Sequence, residues 1–225
     1  MTDASSRVER TMRPLNSPRM AAFAGILFAI LFTISTILIH LSLPEDLVIN
    51  LDWIVNQVRF LRIALTLFPF AGIAYLWFIG VIRDHIGTAE DRLFSTVFLG
   101  SSLLFLAMVF TSGALAGGLI ASVTVIKDQE VLQGVAVYSR AVMLQITNVY
   151  TLRMAAVTMT SLASIWLRTG KMPRWLGIAS LILAAILLLV TNYGLWITLI
   201  FPIWVFVISV FILVRRLREP VWGDA

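Results

Sequence analysis

The chain has no cysteine, which excludes disulfides, thiolate metal sites, a cysteine-linked lipid anchor and cysteine nucleophiles. Charge is scarce as well: 13% of its 225 residues are Asp, Glu, Lys or Arg, against 60% hydrophobic, and the mean hydropathy is +0.95. That leaves too little polar surface to cover a water-soluble globule. Histidine occurs only as His40 and His85, which fall at opposite ends of apolar runs and cannot jointly ligate a metal or haem. No acidic residue lies inside an apolar run, so neither the carboxylate pair of an intramembrane protease nor a buried proton relay is available. The motifs His-Glu-x-x-His and Gly-x-Ser-x-Gly and a glycine-rich phosphate loop are missing too. An enzyme is therefore disfavoured: no catalytic residue, metal or cofactor is expected, and an active site built from outer-loop residues is the one enzymatic option left open.

What the chain does have is length without charge. A hydrocarbon core of about 30 Å takes about 20 helical residues, and several runs reach that length. Strict alternation is lacking, so a closed barrel is excluded and the expected fold class is all-α, a polytopic transmembrane helical bundle. Six spans are expected, over about 20–42, 60–82, 93–118, 139–167, 175–190 and 195–214, between a basic tail (1–19) and a short tail (219–225). The first run is longer than the apolar part of a cleavable signal and reads as a retained span. The charge-free stretch from Leu93 to Ile126 has 34 residues, about 51 Å of helix, and is expected to break or tilt near Gly113, Gly117 and Gly118. Gly113-Ala-Leu-Ala-Gly117 also fits the small-xxx-small pattern that lets helices approach closely, here within the bundle. Thr88-Ala-Glu-Asp91 reads as a helix-opening capping box, Gly170 and Pro173 as a turn, and Pro69 and Pro202 as kink sites.

The isoelectric point, about 10.2, would suggest nucleic acid in a soluble protein, but here the basic residues cluster at the ends of apolar runs. With the N-terminus inside, twelve of the 17 basic residues and seven of the 12 acidic ones fall on the inner side, and five of each on the outer. The positive-inside rule then gives both termini cytoplasmic, N-in/C-in, in a plasma (inner) membrane. Residues 43–58 carry Leu47, Val48, Leu51, Ile54, Val55 and Val58 at helical spacing. They read equally well as an amphipathic helix on the outer interface, with Trp53 at headgroup depth, or as an outward extension of the second span. Pro18-Arg19 is echoed by Pro173-Arg174, and Thr66-Leu-Phe-Pro69 by Thr198-Leu-Ile-Phe-Pro202. Chance is preferred over duplication for this echo, and divergent geometry of the two hairpins would sink a repeat.

The sharpest polar feature is Arg153, inside the fourth span with no acid in any span to neutralise it. On a regular wheel it shares a side with Gln145, Asn148, Thr160 and Ser164, a stripe expected to face the bundle interior. One reading makes Arg153, Gln145 and Asn148, with Arg62 from the second span, an outward-opening pocket for an anionic or hydrogen-bonding ligand. The other, which weighs more, has Arg153 near the outer surface, snorkelling or paired with Asp52, Asp128 or Glu130. Two functions compete on this basis: small-ligand binding or transport through a polar pocket around the fourth helix, or a non-catalytic accessory or assembly subunit of a membrane complex. The expected partners are the lipid bilayer and a second copy or a membrane-complex subunit, with no nucleic acid.

Overall fold

The computed structural model describes residues 17–43, 53–86, 92–170, 172–189 and 194–218, and within these all regular secondary structure is helical. The first helix, α1 (Ser17–Ser42), precedes a π turn (Trp53–Gln57) that runs directly into α2 (Val58–Ile86), and α3 covers Arg92–Val125. The fourth helix is one continuous rod in three parts: α4 (Gln129–Gln145), a π segment (Ile146–Thr151) and α5 (Leu152–Thr169). Two more follow, α6 (Arg174–Leu189) and α7 (Leu195–Arg218). Among the described residues four stretches are long and apolar enough to cross a bilayer: Met20–Ser42, Val58–Arg83, Leu93–Val125 and Leu195–Arg215. The chain is a helical membrane bundle. Exposed rings such as Phe23, Phe70, Trp77 and Trp196 are the side chains that lipid can cover, since hydrocarbon imposes no penalty on an outward-facing apolar face.

Local sequence explains the element ends. Asp128 Oδ1 accepts from the backbone N–H groups of Glu130 (2.9 Å) and Val131 (3.3 Å), a cap that starts the fourth helix at Gln129, well before the expected Ser139. At the other end Gly170 adopts φ 64° and its N–H reaches the Trp166 carbonyl at 3.0 Å, the left-handed closure that glycine favours. The turn expected at Gly170 and Pro173 is therefore present. The capping box at 88–91, and most of the tight turn that Thr191-Asn-Tyr-Gly194 suggests between the fifth and sixth spans, lie outside the described residues.

α3 does not break. It runs unbroken from Arg92 to Val125, and Gly113 and Gly117 serve packing while Gly118 faces open space within a regular helix. A Cβ at Gly113 would stand 3.0 Å from the Phe68 ring, and one at Gly117 would touch Leu65 at 3.8 Å, so both face α2. The small-xxx-small pattern works within the bundle, as expected. Most of the 43–58 segment lies outside the described residues. Its described end, 53–57, continues into α2, and Trp53 is only 5% exposed. Its indole Nε1 donates to the Ser42 carbonyl at 2.9 Å. Trp53, Leu43, Val58, Leu61, Ala116, Leu119, Leu132, Ala136 and Met143 make a second small core at this end of the bundle.

α1 packs along both α2 and α7, α3 joins α2 to the fourth helix, and α6 lies mainly against α5. α6 and α7 touch only lightly, with Trp204 Nε1 donating to Ser180 Oγ at 2.8 Å. The α1–α2 hairpin is tightly packed and the α6–α7 hairpin only lightly so, a difference that counts against a repeat. The main core is aromatic: Phe28 and Tyr75 lie 4.7 Å apart by ring centroids, Phe105 and Phe201 4.6 Å, and Phe105 and Tyr75 5.3 Å. These four rings come from α1, α2, α3 and α7.

Candidate functional site: a hydroxyl-lined cavity at the wide turn of the fourth helix

The fourth helix changes register at its middle. Over Ile146–Thr151 it is π-helical, and the Leu152 N–H reaches back five residues to the Thr147 carbonyl. A π turn takes in one more residue than an α turn, which turns the side chains before it by about 100° relative to a regular wheel. The stripe expected on that wheel is thereby split. Gln145 is exposed, while Asn148, Arg153, Thr160 and Ser164 are half-buried. The fully buried face of α5 is instead Leu152, Ala155, Ala156, Met159, Leu162, Ile165 and Trp166, with Thr158 and Ser161. The stripe therefore borders the interior and does not face into it.

Side chains satisfy the carbonyls that the wide turn loosens. Thr151 Oγ1 donates to the Ile146 carbonyl at 3.0 Å, and Arg153 Nη1 donates to the Val149 carbonyl at 2.8 Å. Arg153 thus directs its guanidinium along its own helix, toward the Asp128 end. Asp128 itself is engaged in capping α4, and Asp52 lies outside the described residues. Arg62 is exposed on α2, and its carbonyl accepts from Thr66 Oγ1 at 2.9 Å. The expected grouping of Arg62, Gln145, Asn148 and Arg153 is represented by one contact element only, the wide turn itself.

That turn faces a cavity of about 60 Å³ lined by Thr36, Ser112, Thr147, Thr151 and Thr198, with Phe32, Ile39, Phe68, Val109 and Met143. Five hydroxyls from four separate helices converge there and no charged side chain lines it. A single water needs about 10–15 Å³ of such volume, so the cavity has room for several waters or a solute of a few non-hydrogen atoms. Ser112 Oγ and Thr147 Oγ1 are paired at 3.0 Å, and the Thr151 hydroxyl proton is committed to Ile146. Lone pairs are therefore in excess over free hydroxyl protons, and the lining is biased toward accepting hydrogen bonds.

The cavity sits toward the Ser42 end of the bundle. Thr36 lies six residues before Ser42, about 9 Å along the helix, and Thr198 about 5 Å from the start of α7. Its deep side is closed by rings. Phe32 stacks on Phe68 at 6.0 Å and stands 5.8 Å from Phe105, which joins the cavity wall to the cluster of Phe28, Tyr75, Phe105 and Phe201. In all four helices the clustered ring lies farther from the Ser42 end than the cavity residue on the same helix. Beyond the rings is a second group of hydroxyls. Thr158 Oγ1 donates to Ser101 Oγ at 3.0 Å, Ser102 is 3.5 Å from Thr158, and the buried Tyr75 hydroxyl has no hydrogen-bond partner among the described residues. Comparison with family models, curated proteins and solved structures finds no match.

Thr36, Ser112, Thr147, Thr151 and Thr198 were not singled out by sequence. Their only signal is hydroxyl residues recurring inside otherwise apolar runs, and such residues more often bond to their own helix, as Ser35 does to the Leu31 carbonyl (2.8 Å).

Proposed function

We propose that this protein binds a small uncharged solute at the hydroxyl-lined cavity and moves it across the membrane by opening the aromatic plug beneath. The observation that carries the reading is the convergence of five hydroxyls on one cavity beside a π turn, a distortion that recurs at functional sites. An ion would enter without a counter-charge, at a heavy desolvation cost, so the lining favours a neutral solute with hydrogen-bond donors, such as a small alcohol or amide. Asn148, half-buried within the wide turn beside Thr147 in the chain, is the nearest of the expected polar residues to this pocket, and Gln145 is exposed outside it. Arg153 holds the wide turn in shape through the Val149 carbonyl, and Arg62 belongs to the outer entrance.

The same reading takes the bundle as six spans with both termini inside. α6, about 24 Å long at helical rise, crosses as a short span, and the fourth helix crosses through α5 and the π segment. The cavity then opens to the outer side, and the arginines at 168, 174 and 215 mark the inner edge.

Reconstituted vesicles test this by the rate of osmotic swelling in glycerol and in urea. The native protein is expected to admit at least one of them faster than protein-free vesicles. Thr198→Phe, which fills the cavity, abolishes the gain, and Thr147→Val lowers it by roughly tenfold, the effect of one lost hydrogen bond. Swelling that ignores both substitutions, with no thermal stabilisation by either solute, contradicts the proposal.

A second reading, a non-catalytic subunit of a membrane complex, draws on α4, where Val131, Val137 and Tyr138 are exposed on a helix that extends past the spans. Recovery in mild detergent with a stoichiometric partner that Tyr138→Lys releases favours this reading; recovery of the protein alone counts against it.

A further inference from the structure

A groove of about 430 Å³ lies at the opposite end of the bundle from the cavity, lined by Gly170, Met172, Pro173, Phe211, Val214 and Arg215. Three helix ends meet there: the C-terminal end of α5, the start of α6 and the last turns of α7. Met172, Phe211 and Val214 give it an apolar wall. Arg215 ends the 21-residue apolar stretch Leu195–Arg215, which places its guanidinium at the boundary between hydrocarbon and headgroups.

The start of α6 adds positive potential. Pro173 caps that helix, its carbonyl accepting from the N–H groups of Leu176 (3.0 Å) and Gly177 (3.4 Å), so the N–H groups of Arg174 and Trp175 belong to a first turn whose dipole favours an anion. Arg174 is exposed beside the groove, and the adjoining Trp175 is exposed as well, in keeping with the aromatic belt at headgroup depth. An apolar channel, a cation at its mouth and a positive helix start at one level match the two halves of a phospholipid: an acyl chain and a phosphate.

We infer that this groove holds one anionic phospholipid, its phosphate on Arg215 and the start of α6 and an acyl chain along Phe211 and Val214. The inference does not depend on what the cavity binds. In the orientation proposed above the groove lies at the cytoplasmic edge, where basic pockets between spans bind such headgroups and each Lys or Arg adds attraction.

The test is the thermal stability of the purified protein in mixed micelles of fixed detergent, titrated with phosphatidylglycerol or with phosphatidylcholine of identical acyl chains, and separately with inorganic phosphate. Phosphatidylglycerol is expected to raise Tm and phosphatidylcholine to do so much less. In Arg215→Gln the mole fraction of phosphatidylglycerol needed for half the rise increases roughly fivefold, while Arg215→Lys stays near the native value. Phe211→Ala weakens the response to both lipids. Equal responses to the two lipids, or an unaltered phosphatidylglycerol titration in Arg215→Gln, overturns the inference. So does an equal rise with phosphate alone, which makes the groove an anion site without a lipid. If Arg215→Gln does not fold, Arg215→Met, which keeps an apolar stem and removes the charge, takes its place, and no change in its titration has the same overturning force.

Discussion

Trp53→Ala is expected to lower the unfolding free energy by about 3–5 kcal/mol, the cost of deleting a large buried ring from a packed site. Trp53 is 5% exposed and occupies the small core that ties the end of α1, the start of α2, the far end of α3 and the start of α4 together. Its indole also occupies the Ser42 carbonyl at the last turn of α1, and Arg140 Nε donates to the next carbonyl, that of Leu43, at 3.4 Å. Removing the ring leaves a void and an unpaired carbonyl together. Trp53→Phe separates the two effects: it keeps most of the volume and loses the N–H donor, for about 0.5–1.5 kcal/mol. Denaturation followed by loss of the monodisperse peak after heating in detergent reads both. If Trp53→Ala melted with the native protein, Trp53 would be an interfacial anchor on the membrane surface and not a core residue.

Gly25→Val carries the second largest effect, and its origin is different. A Cβ on Gly25 would run into the Ser209 hydroxyl of α7 and stand 2.7 Å from the Phe78 ring of α2. Helices inside hydrocarbon gain nothing from the hydrophobic effect when they meet, so close van der Waals contact is a main source of their association. A branched side chain at this point wedges α1 away from both neighbours at once. Overpacking of this kind costs about 1–3 kcal/mol in a well-packed interior, with the upper end expected because Phe78 is itself fully buried. Gly100→Ala is the control, since nothing lies within 4 Å of the position a Cβ would take there; it is expected to be neutral or to gain up to about 1 kcal/mol from helix propensity. Equal melting of Gly25→Val and Gly100→Ala would show that α1 does not pack where the structure puts it.

The parts of the fold that were legible in the sequence are those in which one physical term dominates. Apolar length alone marked α1, α2 and α7 to within a few residues, and the conformational demands of Gly170 and Pro173 marked the turn before α6. Where two terms compete, the sequence misled. The glycines of α3 suggested a break because glycine costs helix propensity, but Gly113 lets the Phe68 ring of α2 approach closely and the helix stays whole. The start of the fourth helix was placed late because its first turns are polar, whereas the Asp128 cap begins it at Gln129.

The site was less legible than the fold. Arg153 attracts notice as a lone charge in an apolar span, yet the geometry gives it a supporting contact to Val149 and places the convergent polar groups beside it on Thr147 and Thr151. A wheel of 3.6 residues per turn cannot show this, because a single wide turn breaks the phase between Gln145 and Arg153. The hydroxyls of Thr36, Ser112 and Thr198 join the cavity only through tertiary packing, and nothing in their own segments distinguishes them from Ser35 or Thr66, whose hydroxyls bond to their own helices.

The absence of cysteine makes the central claim directly measurable. Asp52→Cys and Thr88→Cys, made singly and placed in sealed vesicles of uniform orientation, are treated from the outer side with a charged thiosulfonate that does not cross the bilayer. Thr147→Cys is treated in the same way with the small neutral methyl methanethiosulfonate added outside, while a thiol trapped inside quenches any reagent that crosses. The account predicts that Asp52→Cys and Thr147→Cys react, Thr147→Cys more slowly and not at all once Thr198→Phe fills the cavity, while Thr88→Cys reacts only after the vesicles are opened. Reaction of Thr147→Cys from the Thr88 side alone, or no reaction of Thr147→Cys from either side, would contradict a solute cavity open to the outer face.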